Sequence, residues 1–254
     1  MDVKIINGAH IAYRYRPGSG RTIVFANFLG GDQSVWDDVI AALPKTYGVL
    51  TYDLPGHGLS GGLTDSIEGL ADDLSQLIDA LGLRDVLFCG VSIGGMIGQV
   101  LTAKRPDVVR GAVLCNTAVQ IGTTERWIDR IAAVEENGIA DIAPMVVNTW
   151  FGPDYATRAD RMALHQAMAA RTTDEGYKAA CVAIRDADIG AFAPTITVPV
   201  LCVGGTDDGT VSPAQVEALA QAIPGAKVTI LEKLGHLPCV EMPAELATLI
   251  VGFS

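Results

Sequence analysis

An α/β fold built on a mostly parallel sheet of eight strands is what this sequence predicts, and three observations predict it. Short apolar runs rich in β-branched residues recur at Thr22–Ala26, Gly48–Tyr52, Val86–Cys89, Ala112–Cys115, Val200–Val203 and Lys227–Leu231. Helical patterns separate several of these runs, and a strand alternating with a helix implies parallel pairing with both sheet faces covered. From about Val119 to Pro194 the strand rhythm stops and helical patterns take over, after which two more strands follow. The expected organisation is a sheet core of residues 1–118 and 195–254, interrupted by a helical cap at 119–194.

The first two strands, Val3–Ile6 and His10–Tyr15, are joined by Asn7-Gly8, a pair that favours a tight two-residue turn, so they should run antiparallel. Ile67, Leu70, Leu74, Leu77, Ile78 and Leu81 recur at helical spacing, with Ser66 as N-cap and Gly82 as stop. In the insertion, Tyr177, Ala180, Cys181 and Ile184 form one helical face behind the capping candidates Thr173 and Asp174. A terminal amphipathic helix should start near Pro243. With 254 residues, one domain with an insertion fits better than two independent domains.

Composition narrows the partners. The net charge of −11, with no basic cluster to offset it, repels phosphate backbones and anionic surfaces, so nucleic acid is not an expected partner. The N-terminus enters apolar/polar alternation at once and does not read as a signal peptide. No run approaches the roughly 18 apolar residues of a membrane span. Five scattered cysteines, mostly inside apolar runs, read as buried free thiols of a reducing compartment, and a cytoplasmic protein is expected.

The pattern G-x-S-x-G occurs twice, at Gly58–Gly62 and at Gly90–Gly94. Only the second follows an apolar run and leads into a helical stretch that stops before Pro106, the strand-turn-helix setting the motif requires. A nucleophile held on so sharp a turn needs neighbours without β-carbons, and the helix beginning there aims free N–H groups at a developing anion. Ser92 is therefore the candidate nucleophile, and Ser60 reads as a loop residue. Against this stands the simpler reading of Ser92 as a helix N-cap beside a tight turn.

A serine hydroxyl needs a base, here a histidine oriented by a carboxylate, in the chain order Ser, acid, His. Of four histidines only His236 follows the last strand, although a lone histidine there is otherwise an ordinary loop residue. Asp207 and Asp208 both stand just beyond the strand Val200–Val203, and the sequence separates them only weakly. Asp208 is preferred as the acid, with Asp207 as a turn residue. Asn116, at the end of the preceding strand, cannot orient an imidazolium by charge. The backbone N–H groups of Ile93 and Phe28 are the candidate oxyanion donors. No histidine, cysteine and carboxylate spacing suggests a metal, and no cofactor is expected.

Taken together these residues resemble the α/β-hydrolase superfamily over essentially the whole chain. Asp53-Leu54-Pro55-Gly56-His57-Gly58-Leu59-Ser60 is similar to its loop after the fourth strand, and Gly235-His236 with Glu241-Met242-Pro243 to its C-terminal histidine segment. Narrower similarity lies with the 3-oxoadipate enol-lactonases of bacterial aromatic catabolism. It rests on Ala26-Asn27-Phe28-Leu29-Gly30, Trp127-Ile128-Asp129-Arg130 and the stretch from Gly176 to Asp186. The resemblance implies hydrolysis of a small carboxylic ester or lactone through an acyl-enzyme. Cap residues Trp127, Trp150, Phe151 and Met145 are candidates to line the substrate pocket, although aromatics at helical spacing are commonly plain packing. One departure stands out: Thr149 precedes Trp150-Phe151 where those lactonases tend to have Arg, removing an expected cation. A general aryl or carboxylesterase, a cofactor-free perhydrolase and a non-catalytic ligand-binding protein on the same fold are the alternatives.

Overall fold

The computed structural model describes residues 1–253. Its eight strands are β1 (Asp2–Ile6), β2 (Ala9–Arg16), β3 (Thr22–Ala26), β4 (Gly48–Tyr52), β5 (Val86–Val91), β6 (Val109–Cys115), β7 (Val200–Gly205) and β8 (Lys227–Leu231). They form one sheet in the order β1-β2-β4-β3-β5-β6-β7-β8. β2 runs antiparallel to both β1 and β4, and every other pair is parallel. The opening hairpin turns on Asn7 and Gly8, both at positive φ (48° and 82°), which matches the twist of the flanking strands. At the sheet centre Ile23, Val24, Phe25 and Ala26 are fully buried, as the unbroken apolar run requires of a strand covered on both faces.

Around the sheet lie α1 (Asp37–Ala42), α2 (Ile67–Ala80) and α3 (Ile93–Lys104), and after β7 come α8 (Pro213–Ala222), α9 (Pro238–Glu241) and α10 (Pro243–Phe253). The Ser66 hydroxyl accepts from the Gly69 N–H at the start of α2, and Gly82 (φ 65°) lies just past its end, so both predicted signals hold. α3 packs on β5 and β6 with α2 beside it, and α1 meets α10. Burial of Leu74, Leu77, Ile78, Met96, Ile97 and Val100 ties these helices to the sheet.

Between β6 and β7 the chain makes α4 (Thr124–Val147), α5 (Pro153–Ala156), α6 (Ala159–Ala169) and α7 (Asp174–Arg185). α4 breaks at Gly138 (φ 77°, ψ 155°), and the half beyond it starts with the Ile139 N–H donating to the Asp174 carboxylate at 2.7 Å. Asp174 thus caps another helix, while the Thr173 hydroxyl accepts from the Gly176 N–H and caps α7 itself. The face formed by Tyr177, Ala180, Cys181 and Ile184 is buried as its spacing predicts. This insertion docks on the sheet domain at the Gly56 carbonyl, which accepts from the Thr173 N–H at 3.2 Å and hydroxyl at 3.1 Å. Among the described residues no helix is long and apolar enough to cross a membrane. All five cysteines are buried and unpaired.

Candidate active site

Four consecutive parallel strands deliver four polar side chains to one edge of the sheet. Ser92 follows β5, Asn116 follows β6, Asp208 lies just beyond β7, and His236 lies on the turn after β8. Hydrogen bonds extend the ladder past the strand ends: Ser92 N–H to the Cys115 carbonyl (3.0 Å), Asn116 N–H to the Val203 carbonyl (2.7 Å) and Thr206 N–H to the Leu231 carbonyl (3.0 Å). Loops held by such bonds are anchored by the sheet, so their side chains have fixed origins.

Ser92 itself sits at φ 58°, ψ −120°, a conformation sparsely populated by any residue with a β-carbon. Its side chain makes no capping bond to α3, so the simpler N-cap reading finds no support. The turn can be this tight because Gly94 has no side chain: a β-carbon there would lie 2.3 Å from the Ala26 carbonyl oxygen and 2.6 Å from that of Asn27. This contact brings the first turn of α3 against the loop that carries Phe28. The Ile93 N–H, first in its helix, has no acceptor within the helix and belongs to the positive end of the dipole.

His236 is held from several directions. Its Nδ1 lies 2.8 Å from the Asp208 Oδ2, and both side chains are buried. Its backbone N–H donates to the Trp150 carbonyl of the insertion at 2.9 Å. The other Asp208 oxygen accepts from the Thr210 (2.7 Å) and Val211 (3.0 Å) N–H groups. Burial pushes the Asp208 carboxyl up, but the His236 charge and hydrogen bond, the Asn116 amide and the Val211 N–H pull it down further, leaving it below the ordinary carboxylate range. Asp207 is exposed and meets the Thr206 hydroxyl instead, so it is Asp208 that faces the imidazole.

Asn116 is a contributor the sequence reading passed over. Its Nδ2 donates to the Asp208 Oδ2 at 2.9 Å and to the Gly235 carbonyl at 3.0 Å, tying the acid to the histidine turn. Its positive φ of 46° is a left-handed conformation that Asn adopts more readily than most residues with a β-carbon. The other serine motif is structural. The Ser60 hydroxyl donates to the Asp53 carbonyl at 2.8 Å and accepts from the Ala12 N–H at 2.9 Å, while the Asp53 carboxylate collects the Gln33 and Leu59 N–H groups.

Ser92 and His236 open into one narrow cavity of ≈30 Å³, walled also by Phe28, Trp127, Thr149 and Trp150. That volume holds a water or two, so a larger molecule enters only as the lining side chains give way. Arg126 and Arg130, one turn apart on α4, enter the same space, as does Tyr177 from α7. The Arg130 guanidinium donates to the Tyr177 hydroxyl at 3.0 Å. Burial, and then the neighbouring Arg130 charge, push the Arg126 guanidinium down from its ordinary value. No carboxylate lines this space, although the whole chain carries an excess of acid. Phe151 lies behind Trp150, stacked on Tyr155 at 4.4 Å between ring centres and outside the cavity wall, and Met145 is 48% exposed. A larger cavity of ≈430 Å³ lies elsewhere, between α6, α1 and α9. It contains neither Ser92 nor His236, so size is a poor guide to chemistry in this molecule.

Comparison with known proteins agrees with this fold. A 3-oxoadipate enol-lactonase of Acinetobacter baylyi is 30% identical over 239 residues, covering 93% of this chain and 90% of the relative. A putative carbamate hydrolase of Pseudomonas savastanoi is 26% identical over 264 residues, covering 96% and 97%. The crystal structure of an enol-lactonase from Burkholderia xenovorans superposes with a TM-score of 0.95 at 36% identity over 99% of each chain. The family model described as the alpha/beta hydrolase family matches residues 18–249, and with the strand order and the serine turn this makes the chain a member of the α/β-hydrolase family.

Proposed function

We propose that the protein hydrolyses a small lactone or ester carrying a carboxylate, in the manner of an enol-lactonase, with Ser92, Asp208 and His236 as its triad. In this reading residues 119–194 act as a cap over a core of 1–118 and 195–254. The observation that carries the substrate class is the pair Arg126 and Arg130 in a cavity shared with Ser92 and His236 and free of carboxylates. Two adjacent guanidiniums repel each other, and Tyr177 supplies a hydroxyl but no counter-charge, so an anionic group on the substrate would relieve an existing strain. The cation absent at Thr149, in the turn after α4, is thereby replaced from the first half of α4. The two enol-lactonases among the relatives support the same choice.

His236 takes the Ser92 proton as the serine oxygen attacks the acyl carbon, and the tetrahedral oxyanion is held by the Ile93 and Phe28 N–H groups. The carbon–oxygen bond of the ring then breaks, and His236 returns the proton to the departing oxygen, which stays tethered to the acyl-enzyme. An enol leaving group becomes a ketone. Water, deprotonated by His236, attacks the acyl-enzyme and frees the hydroxy or keto acid. The residues named here need no cofactor for this sequence.

The test is a substrate panel of enol-lactones, simple lactones and neutral aryl esters, with a fluorophosphonate label. The wild type should label stoichiometrically and prefer carboxylated lactones, and Ser92→Ala should lose both labelling and turnover. Arg126→Met and Arg130→Met should each raise KM for the carboxylated substrate by about 10-fold or more while barely affecting neutral esters. Preference for neutral esters in the wild type would reject the anionic substrate.

A further inference from the structure

Glu241 ends the short helix α9 and takes no part in the chemistry just described, yet its carboxylate collects three backbone donors. Oε2 accepts from the Gly152 N–H at 2.9 Å and from the Gly235 N–H at 3.2 Å, and Oε1 accepts from the Leu237 N–H at 3.3 Å. Gly235 and Leu237 are the two neighbours of His236. Gly152 belongs to the insertion, two residues past Trp150, whose carbonyl accepts from the His236 N–H. Among the described residues no cation pairs with Glu241. Desolvating a carboxylate without a counter-ion is costly, and here three charge-assisted bonds to backbone offset that cost.

We propose that Glu241 is a positioning residue that clamps both flanks of His236 to the Trp150–Gly152 segment, so that the base and the cap wall over Ser92 are held as one rigid unit. The inference rests on His236 being the base. The geometry favours a clamp over a simple helix cap, because only the Leu237 bond goes to α9's own N-cap, whereas the two bonds to Oε2 reach outside the helix, one of them to a segment 89 residues away in the chain. Gly152 and Gly235 are pressed together at the same point: a β-carbon on Gly235 would lie 2.2 Å from the Gly152 nitrogen. The Asn116 amide, which holds the Gly235 carbonyl, secures the turn from the other side. With the carboxylate removed, three N–H groups lose their acceptor; the imidazole keeps its Asp208 bond, and the turn that carries it is left with the His236 N–H bond to Trp150 and the Asn116 bond to the Gly235 carbonyl.

The experiment compares Glu241→Ala and Glu241→Gln with wild type, using p-nitrophenyl acetate turnover, fluorophosphonate labelling rate and the downfield proton resonance of the His236–Asp208 hydrogen bond. Glu241→Ala should lower kcat and the labelling rate together, by about 10- to 100-fold, with a smaller rise in KM, because a slightly misplaced base slows proton transfer more than a loosened Trp150 wall weakens binding. The downfield proton should broaden as the imidazole gains freedom. Glu241→Gln, whose amide oxygen keeps two of the three acceptor roles, should fall between the two and serves as the folded variant if Glu241→Ala does not fold. A kcat within twofold of wild type in a folded variant, with the downfield proton unchanged, overturns the clamp. Failure of the underlying reading is distinct: Ser92→Ala would then retain turnover, whatever Glu241 does.

Discussion

At the scale of single residues, the sharpest distinction is between two neighbouring aspartates. Sequence position separates them weakly because both follow β7 in the same loop. The structure separates them by direction: Asp208 points at the His236 Nδ1 and Asp207 at solvent and the Thr206 hydroxyl. Asp208→Asn should therefore lower kcat by about 10³- to 10⁴-fold, whereas Asp207→Asn should stay within a few-fold, as measured by steady-state turnover. Equal losses would reject the assignment. Asn116 tells the complementary story. Its lack of charge makes it a poor acid, but its amide donates to the acid and to the histidine turn at once. That role needs two contacts across 92 and 119 residues of chain, which no local pattern announces.

At the scale of elements, the docking of α7 decides how the insertion sits over Ser92. The helical spacing of Tyr177, Ala180, Cys181 and Ile184 is plain in the sequence, and so is the Thr173 cap. The core partner of its N-terminal end is not, because it is the Gly56 loop, although the body of the helix packs on α4. A β-carbon on Gly176 would lie 2.6 Å from the Gly56 α-carbon and carbonyl oxygen, so backbone must move to admit it. Gly176→Ala should lift α7, costing about 1–3 kcal/mol in chemical denaturation and raising KM through the displaced Tyr177–Arg130 contact. Unchanged stability and KM would show that the Gly56 loop yields freely. The two arginines belong to this scale as well. Their spacing of four residues places them on one face of α4, a relation that can be read from sequence, whereas the cavity that face overlooks cannot.

At the scale of the whole molecule, buried histidines set the acid side of stability. Burial pushes the His57 imidazole down to about 4 and, with the Arg161 charge, also lowers His165. Between the ordinary histidine value near 6.5 and the lowered value, the unfolded chain binds protons that the folded chain refuses. Stability therefore falls as pH falls through that window, by at most about 1.4 kcal/mol per pH unit for each such group. Urea unfolding at pH 7.0, 6.0 and 5.0 should show the decline, and His57→Gln should flatten it; a flat profile in the wild type would contradict neutral burial of His57. The sequence alone determined the α/β class, the order and placement of the strands along the chain, the hairpin and the serine turn, because each depends on periodicity or on glycine within a few residues of chain; β5 and β7 run two residues beyond their apolar runs, into glycine-containing ends that periodicity does not mark. Tertiary structure decided which aspartate meets His236, that Arg126 and Arg130 share the cavity with Ser92, that Phe151 stands behind its wall, and that Glu241 spans the histidine turn and the insertion. These are contacts between segments tens of residues apart or more, and their geometry exists only once the sheet has ordered its strands and the insertion has docked upon them.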